Sequence, residues 1–136
     1  MDKSTEQRAV KLHARAAQAI WAGTVWTSFD ELVRIVDATT ENVDQWLRER
    51  KVFALERSGE RYFPSYAFDS SCRPLSAVVG VMRIFKDFYG DESVAAWFES
   101  TSSFLGGARP REVLACDPER VLACAQHCVD NARHAG

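Results

Sequence analysis

Apolar residues recur at helical spacing along most of the chain, and one stretch near the middle is built from β-prone runs instead. Val10, Ala14, Ala17 and Trp21 repeat every three or four residues, which predicts a helix from Ser4 to Ala22 that Gly23 ends. Ser4 with Gln7 supplies a capping box at its start. Two short amphipathic helices follow between Ser28 and Arg50. Ser28 caps the first, whose apolar face is Leu32, Ile35 and Val36. Asp37-Ala38-Thr39 is a tight turn, and Thr39 or Thr40 caps the second helix, which buries Val43, Trp46 and Leu47. This is the shape of a helix-turn-helix. Between Val52 and Pro64 two β-prone runs flank Ser58-Gly59, a two-residue hairpin turn, and such a hairpin directly after a helix-turn-helix reads as a wing.

Asp69 to Pro74 is small and polar and marks a boundary. The next helix spans Leu75 to Tyr89, with Val78, Val81, Met82, Phe85 and Phe88 on a stripe wider than one neighbour needs, which leaves part of it for a partner. Gly90 stops it. A helix carrying Val94, Trp97 and Phe98 follows, then Phe104, Leu105 and a Gly106-Gly107 turn. Pro110 opens a short helix that Leu114 closes. Asp117 caps the last one, with Pro118 at its first position. That helix carries Val121, Leu122, Ala125 and Val129 and runs to about Ala132, leaving Arg133 to Gly136 as a loose tail. The expected fold is mainly α: a helix-turn-helix with a small β-hairpin wing over 1–69, followed by a C-terminal helical bundle over 70–136.

At 136 residues the chain fits one domain or two very small ones. No apolar run is long enough to cross a membrane, and Met1 to Glu6 lacks an apolar signal core, so a cytoplasmic protein with no membrane partner is expected. Four cysteines at irregular spacing read as free thiols. Net charge is −2, and residues 1–68 carry ten basic and ten acidic groups. Any DNA contact must therefore come from a local patch. The outward positions of the second helix are Thr40, Glu41, Asn42, Asp44, Gln45 and Arg48. Asn and Gln can bond adenine edges and Arg can bond guanine. Arg50, Lys51, Arg57 and Arg61 add a basic cluster around the wing, diluted by Glu49, Glu56 and Glu60. The candidate DNA-binding residues are thus Thr40, Asn42, Gln45, Arg48, Arg50, Lys51, Arg57 and Arg61. A purely structural helix pair is the competing reading, since Glu41 and Asp44 would repel phosphates and Val33 stands where the motif usually has a small residue. The alanine-rich first helix either packs on the next domain or permits close approach of a second copy, hence an expected homo-oligomer.

Candidate chemistry is sparse. Cys124, His127 and Cys128 are spaced to share a helical face with Cys116 nearby, but paired Cys-x-x-Cys spacing is absent and one helix presents poor angles for three ligands. Gly106-Gly107 lacks the lysine and preceding strand of a phosphate-binding loop. No catalytic residue, metal or cofactor is expected.

Trp97, Leu105, Gly106, Pro110, Leu114, Val121 and Ala125 occur in an order that resembles the C-terminal toxin-binding domain of the Xre/MbcA/ParS antitoxin family, over roughly Leu75 to Ala132. That family shows a similar Trp-led helix, Leu-Gly-Gly turn, Pro-led helix ending in Leu, and final helix rich in Val, Leu and Ala. One departure is Thr101-Ser102-Ser103, where the family often has Pro-Asn. The resemblance implies a non-enzymatic antitoxin that neutralises a cognate toxin, RES-type NAD-degrading toxins among them, and binds its own operator DNA as a dimer or larger assembly. It implies toxin contacts at Arg109 and Arg111, on the interface rim, and at Asn131, Arg133 and Gly136 near the C-terminus. A stand-alone DNA-binding regulator and a non-catalytic helical assembly module are the alternatives.

Overall fold

A computed structural model describes residues 17–36 and 40–135. The expected start of the first helix, the Asp37-Ala38-Thr39 turn and Gly136 lie outside them. In order come α1 (17–22), β1 (Trp26–Ser28), α2 (Phe29–Val36), α3 (Thr40–Arg48), β2 (Leu55–Arg57), β3 (Glu60–Pro64), α4 (Ser76–Ile84), α5 (Asp91–Glu99), α6 (Pro110–Val113) and α7 (Pro118–Ala135). The fold is mainly α with a small antiparallel sheet, as the hydrophobic pattern predicts. Among the described residues no helix is long and apolar enough to cross a membrane.

The helix pair forms for local reasons. Ser28 Oγ accepts a hydrogen bond from Glu31 N (3.2 Å), and Asp30 and Glu31 sit at the positive end of the α2 dipole. Leu32 is buried, but Ile35 is 62% exposed, so the apolar face of α2 is narrower than the pattern predicts. Helix α3 buries Val43 and ends in a reversal. Arg50 N bonds Leu47 O, Lys51 N bonds Trp46 O, and Arg50 takes the left-handed φ of 54° that glycine usually supplies.

The hairpin turns at Ser58 (φ 54°) and Gly59 (φ 81°), the two-residue geometry that matches strand twist. The sheet has a third strand that the sequence pattern does not reveal. β1 pairs with β3 (Thr27 opposite Phe63), giving the order β1-β3-β2. Its three residues are all half-buried and show no alternation.

Two hydrophobic clusters hold the molecule together. Leu32, Val43, Val52 and Phe63 form the smaller one, inside the helix pair and sheet. The larger includes Val78, Val81, Met82, Phe85, Val94, Phe98, Val121 and Ala125 together with Phe53, Leu55 and Ala67. Residues on both sides of position 69 thus share one core. Phe53 stacks on Phe98 at 5.8 Å between ring centroids, and Tyr66 lies 5.1 Å from the same ring. Asp69 to Pro74 is a closed turn in which the Asp69 carboxylate accepts from Ser71 N and Arg73 N (2.8 and 3.0 Å).

Two helix ends differ from expectation. α4 stops at Ile84 because Phe85 leaves helical geometry (ψ 2°), and its ring packs on Tyr89 and Trp97. α7 continues through Arg133 and His134 instead of fraying. His134 Nδ1 lies 2.7 Å from Asp130 O, the Arg133 guanidinium covers Phe88, and cations favour the negative end of a helix. Asp117 caps α7 as predicted, accepting from Arg120 N at 3.2 Å. Gly106 and Gly107 are both left-handed (φ 68° and 89°) in the expected turn.

Truncating Phe53 removes one of the rings that join the two segments. Phe53→Ala should cost about 3–5 kcal/mol. Far-UV circular dichroism and tryptophan fluorescence should give coincident urea transitions in the wild type; two separate transitions would show that the segments fold independently.

Candidate functional site

The outer face of α3 follows from its burial. Val43 points into the smaller core, so Asn42, Gln45 and Arg48, spaced three apart, line the opposite side and are exposed. Thr40 opens the helix, and nothing further is described of its side chain. Gln45 Nε2 donates to Glu49 Oε1 (2.9 Å), which leaves its carbonyl oxygen as the outward group. Glu49 also meets Lys51 Nζ at 3.1 Å. The Gln45 hydrogen bond, then Lys51, hold the Glu49 carboxyl below the usual carboxylate range.

The wing divides its arginines between two faces. Leu55, Arg57, Glu60 and Tyr62 share the α1 side, where Arg57 lies 5.0 Å from the Trp21 ring and Tyr62 meets Trp21 edge-on. Arg61 and Phe63 share the α2–α3 side. There the Arg61 guanidinium covers Phe29 at 4.3 Å and reaches Asp44 Oδ1 at 3.3 Å. A cleft between the start of α2 and the hairpin is lined by Ser28, Asp30, Glu56, Glu60 and Arg61. Its three carboxylates disfavour a phosphate.

Arg50 differs from the other candidates. Its half-buried guanidinium turns to the C-terminal segment, 3.7 Å from Asp91 Oδ1 and 3.5 Å from Tyr89 O. Asp91 in turn accepts from Ala54 N (3.2 Å), so Arg50 docks the end of α3 on the start of α5. The geometry therefore gathers Asn42, Gln45 and Arg48 on one face of α3, with Lys51 beside Glu49 after the helix and Arg61 on the adjoining side of the wing, while Arg57 lies on the opposite, α1 side and Arg50 has a structural task. The platforms Trp21 and Phe29 and the partner Asp91 were missed, because these contacts join separate elements and leave no periodic trace.

The C-terminal candidates divide similarly. Glu99, only 14% exposed on its side chain, takes both arginines of the α6 start: Arg109 Nε at 3.3 Å and Arg111 Nη2 at 3.1 Å, with Arg111 Nε bonding the second oxygen. The Glu99 hydrogen bonds raise the Arg111 pKa further. Arg109 and Arg111 thus staple α6 to α5. Asn131 is exposed beside His127 (3.1 Å), and Arg133 covers Phe88 at 5.4 Å. The α4 stripe has no surplus apart from Phe88, 37% exposed, since Phe53, Leu55 and Ala67 help to cover it. Cys124 Sγ meets Ser102 Oγ and Cys128 Sγ meets the Tyr89 hydroxyl, while His127 stacks on Phe104 outside. The three stand along one side of α7 but are engaged by different neighbours and do not converge on a common point. Among the described residues no group of three or more His, Cys, Asp or Glu could hold a metal.

No protein-family model and no curated protein matches the chain. Its fold is similar to a solved structure, the NMR structure of Rv2175c, with a TM-score of 0.69 over 78% of this chain and 82% of that one. Identity is 22%, so the likeness bears on the fold alone.

Glu112 accepts a hydrogen bond from Arg109 N (3.1 Å), which with the Arg109 guanidinium holds its carboxyl below the usual range. A lowered folded-state pKa stabilises the fold above the unfolded value, and the effect disappears as pH falls through the folded one. Glu112→Gln should therefore lower the urea midpoint at neutral pH, and the two midpoints should converge in acid. A gap independent of pH would show that the ionised carboxylate is not what holds the α6 start.

Proposed function

We propose that the protein is a winged-helix binder of duplex DNA that reads the major groove with α3 and regulates transcription at its sites. One observation carries this reading: α3 buries Val43 against α2 and the sheet while Asn42, Gln45 and Arg48 stand exposed together on its other side. Arg48 is suited to guanine O6 and N7, and Asn42 to adenine. The Gln45 carbonyl, left outward by the bond to Glu49, is suited to accept from a base amino group. Between Thr40 and Pro64 five basic residues face five acidic ones. Base edges would thus carry more of the affinity than phosphates do, and salt dependence would be shallow.

A second reading, neutralisation of a toxin through the C-terminal helices, rests on the family resemblance and on the exposed Phe88 beside Arg133. Its test is co-expression with the product of the adjacent open reading frame, followed by pull-down and growth rescue.

Selection from a random duplex library should enrich a defined site. Arg48→Ala should weaken binding to that site by about 1–3 kcal/mol in fluorescence anisotropy and relax preference at one base pair. A library with no enriched sequence would sink the DNA reading.

A further inference from the structure

We propose that Asp44 is an internal competitor for the DNA backbone, holding the wing residue Arg61 against α3 until a phosphate displaces it; this rests on the duplex-binding reading above. Arg61 and Asp44 come from elements far apart in sequence and meet at 3.3 Å between Nη2 and Oδ1. Phe29 supports the guanidinium from below at 4.3 Å, which fixes its direction. Both side chains remain about two-fifths exposed (42% and 41%), so the pair is open to exchange with an outside anion.

Carboxylate and phosphate oxygens offer a guanidinium equivalent acceptors, and the two compete for one fork of donors. Asp44 also stands on the helix that would enter the groove, beside Gln45, where an unpaired carboxylate repels the duplex. The pairing therefore masks one cation and one anion together in the free protein. Arg57, the other wing arginine, rests on Trp21 and has no ion-pair partner among the described residues. Arg61 is thus the latched member. Seating α3 in the groove would hold a phosphate beside the pair, where it competes with Asp44 for longer than in a chance encounter. The device lowers binding to random DNA and reserves the Arg61 contact for the fully docked complex.

The test is a double-mutant cycle on the full chain, with a random-sequence duplex probed by anisotropy across a salt titration. Asp44→Asn should tighten binding about three- to fivefold, the scale of an exposed ion pair. It should also steepen the salt slope by about 0.9, one extra phosphate contact. Arg61→Gln alone should weaken binding by a similar factor, because it leaves the Asp44 carboxylate unpaired beside Gln45, and in the Asp44→Asn background it should return binding to the wild-type level. If the gain survives in the double variant, Asp44 acts only through its charge and the latch is overturned, while the duplex-binding reading stands. If neither wild type nor Asp44→Asn binds any duplex, both fall.

Discussion

Adjacent side chains at positions 52 and 53 enter different cores, and the arrangement of the whole molecule depends on that split. Val52 fills the small cluster beneath the helix pair, and Phe53 stacks on Phe98 in the large one. Two neighbouring residues between α3 and β2 thus tie both clusters together. Phe68 packs against both as well, at the other end of the hairpin. The wing is consequently clamped at its base, and its outer turn at Ser58-Gly59 is left exposed.

This clamp explains why the apolar stripe on α4 does not need an outside partner. Helix α7 and residues of the N-terminal segment together cover Val78, Val81, Met82 and Phe85. What remains exposed in the C-terminal segment is isolated: Phe88 beneath Arg133, and Phe104 against His127. Single exposed aromatics of this kind are weaker grounds for a docking surface than a continuous apolar patch.

Electrostatics around the helix pair is organised by pairing and not by surplus. Lys51 meets Glu49, Arg61 meets Asp44, and Arg50 meets Asp91. Exposed pairs of this sort contribute little to stability, on the order of 0–1 kcal/mol. Their consequence lies in which charges are available to an outside ligand. Arg48, the sole basic residue of α3, has no ion-pair partner among the described residues.

Local patterns were enough to read the helices from Phe29 onward, the Ser58-Gly59 hairpin, the Gly106-Gly107 turn and the Asp117-Pro118 helix start, because spacing, capping and backbone preference act within a few residues. The exposed set Asn42, Gln45 and Arg48 follows from the same period. The third strand, the early end of α4 and the shared core were decided by tertiary packing. So were the assignments of Arg50 to Asp91, Arg109 and Arg111 to Glu99, and Arg61 to Asp44. Each of these depends on groups that meet only after separate elements are packed, and a charge in sequence carries no mark of the partner that will neutralise it.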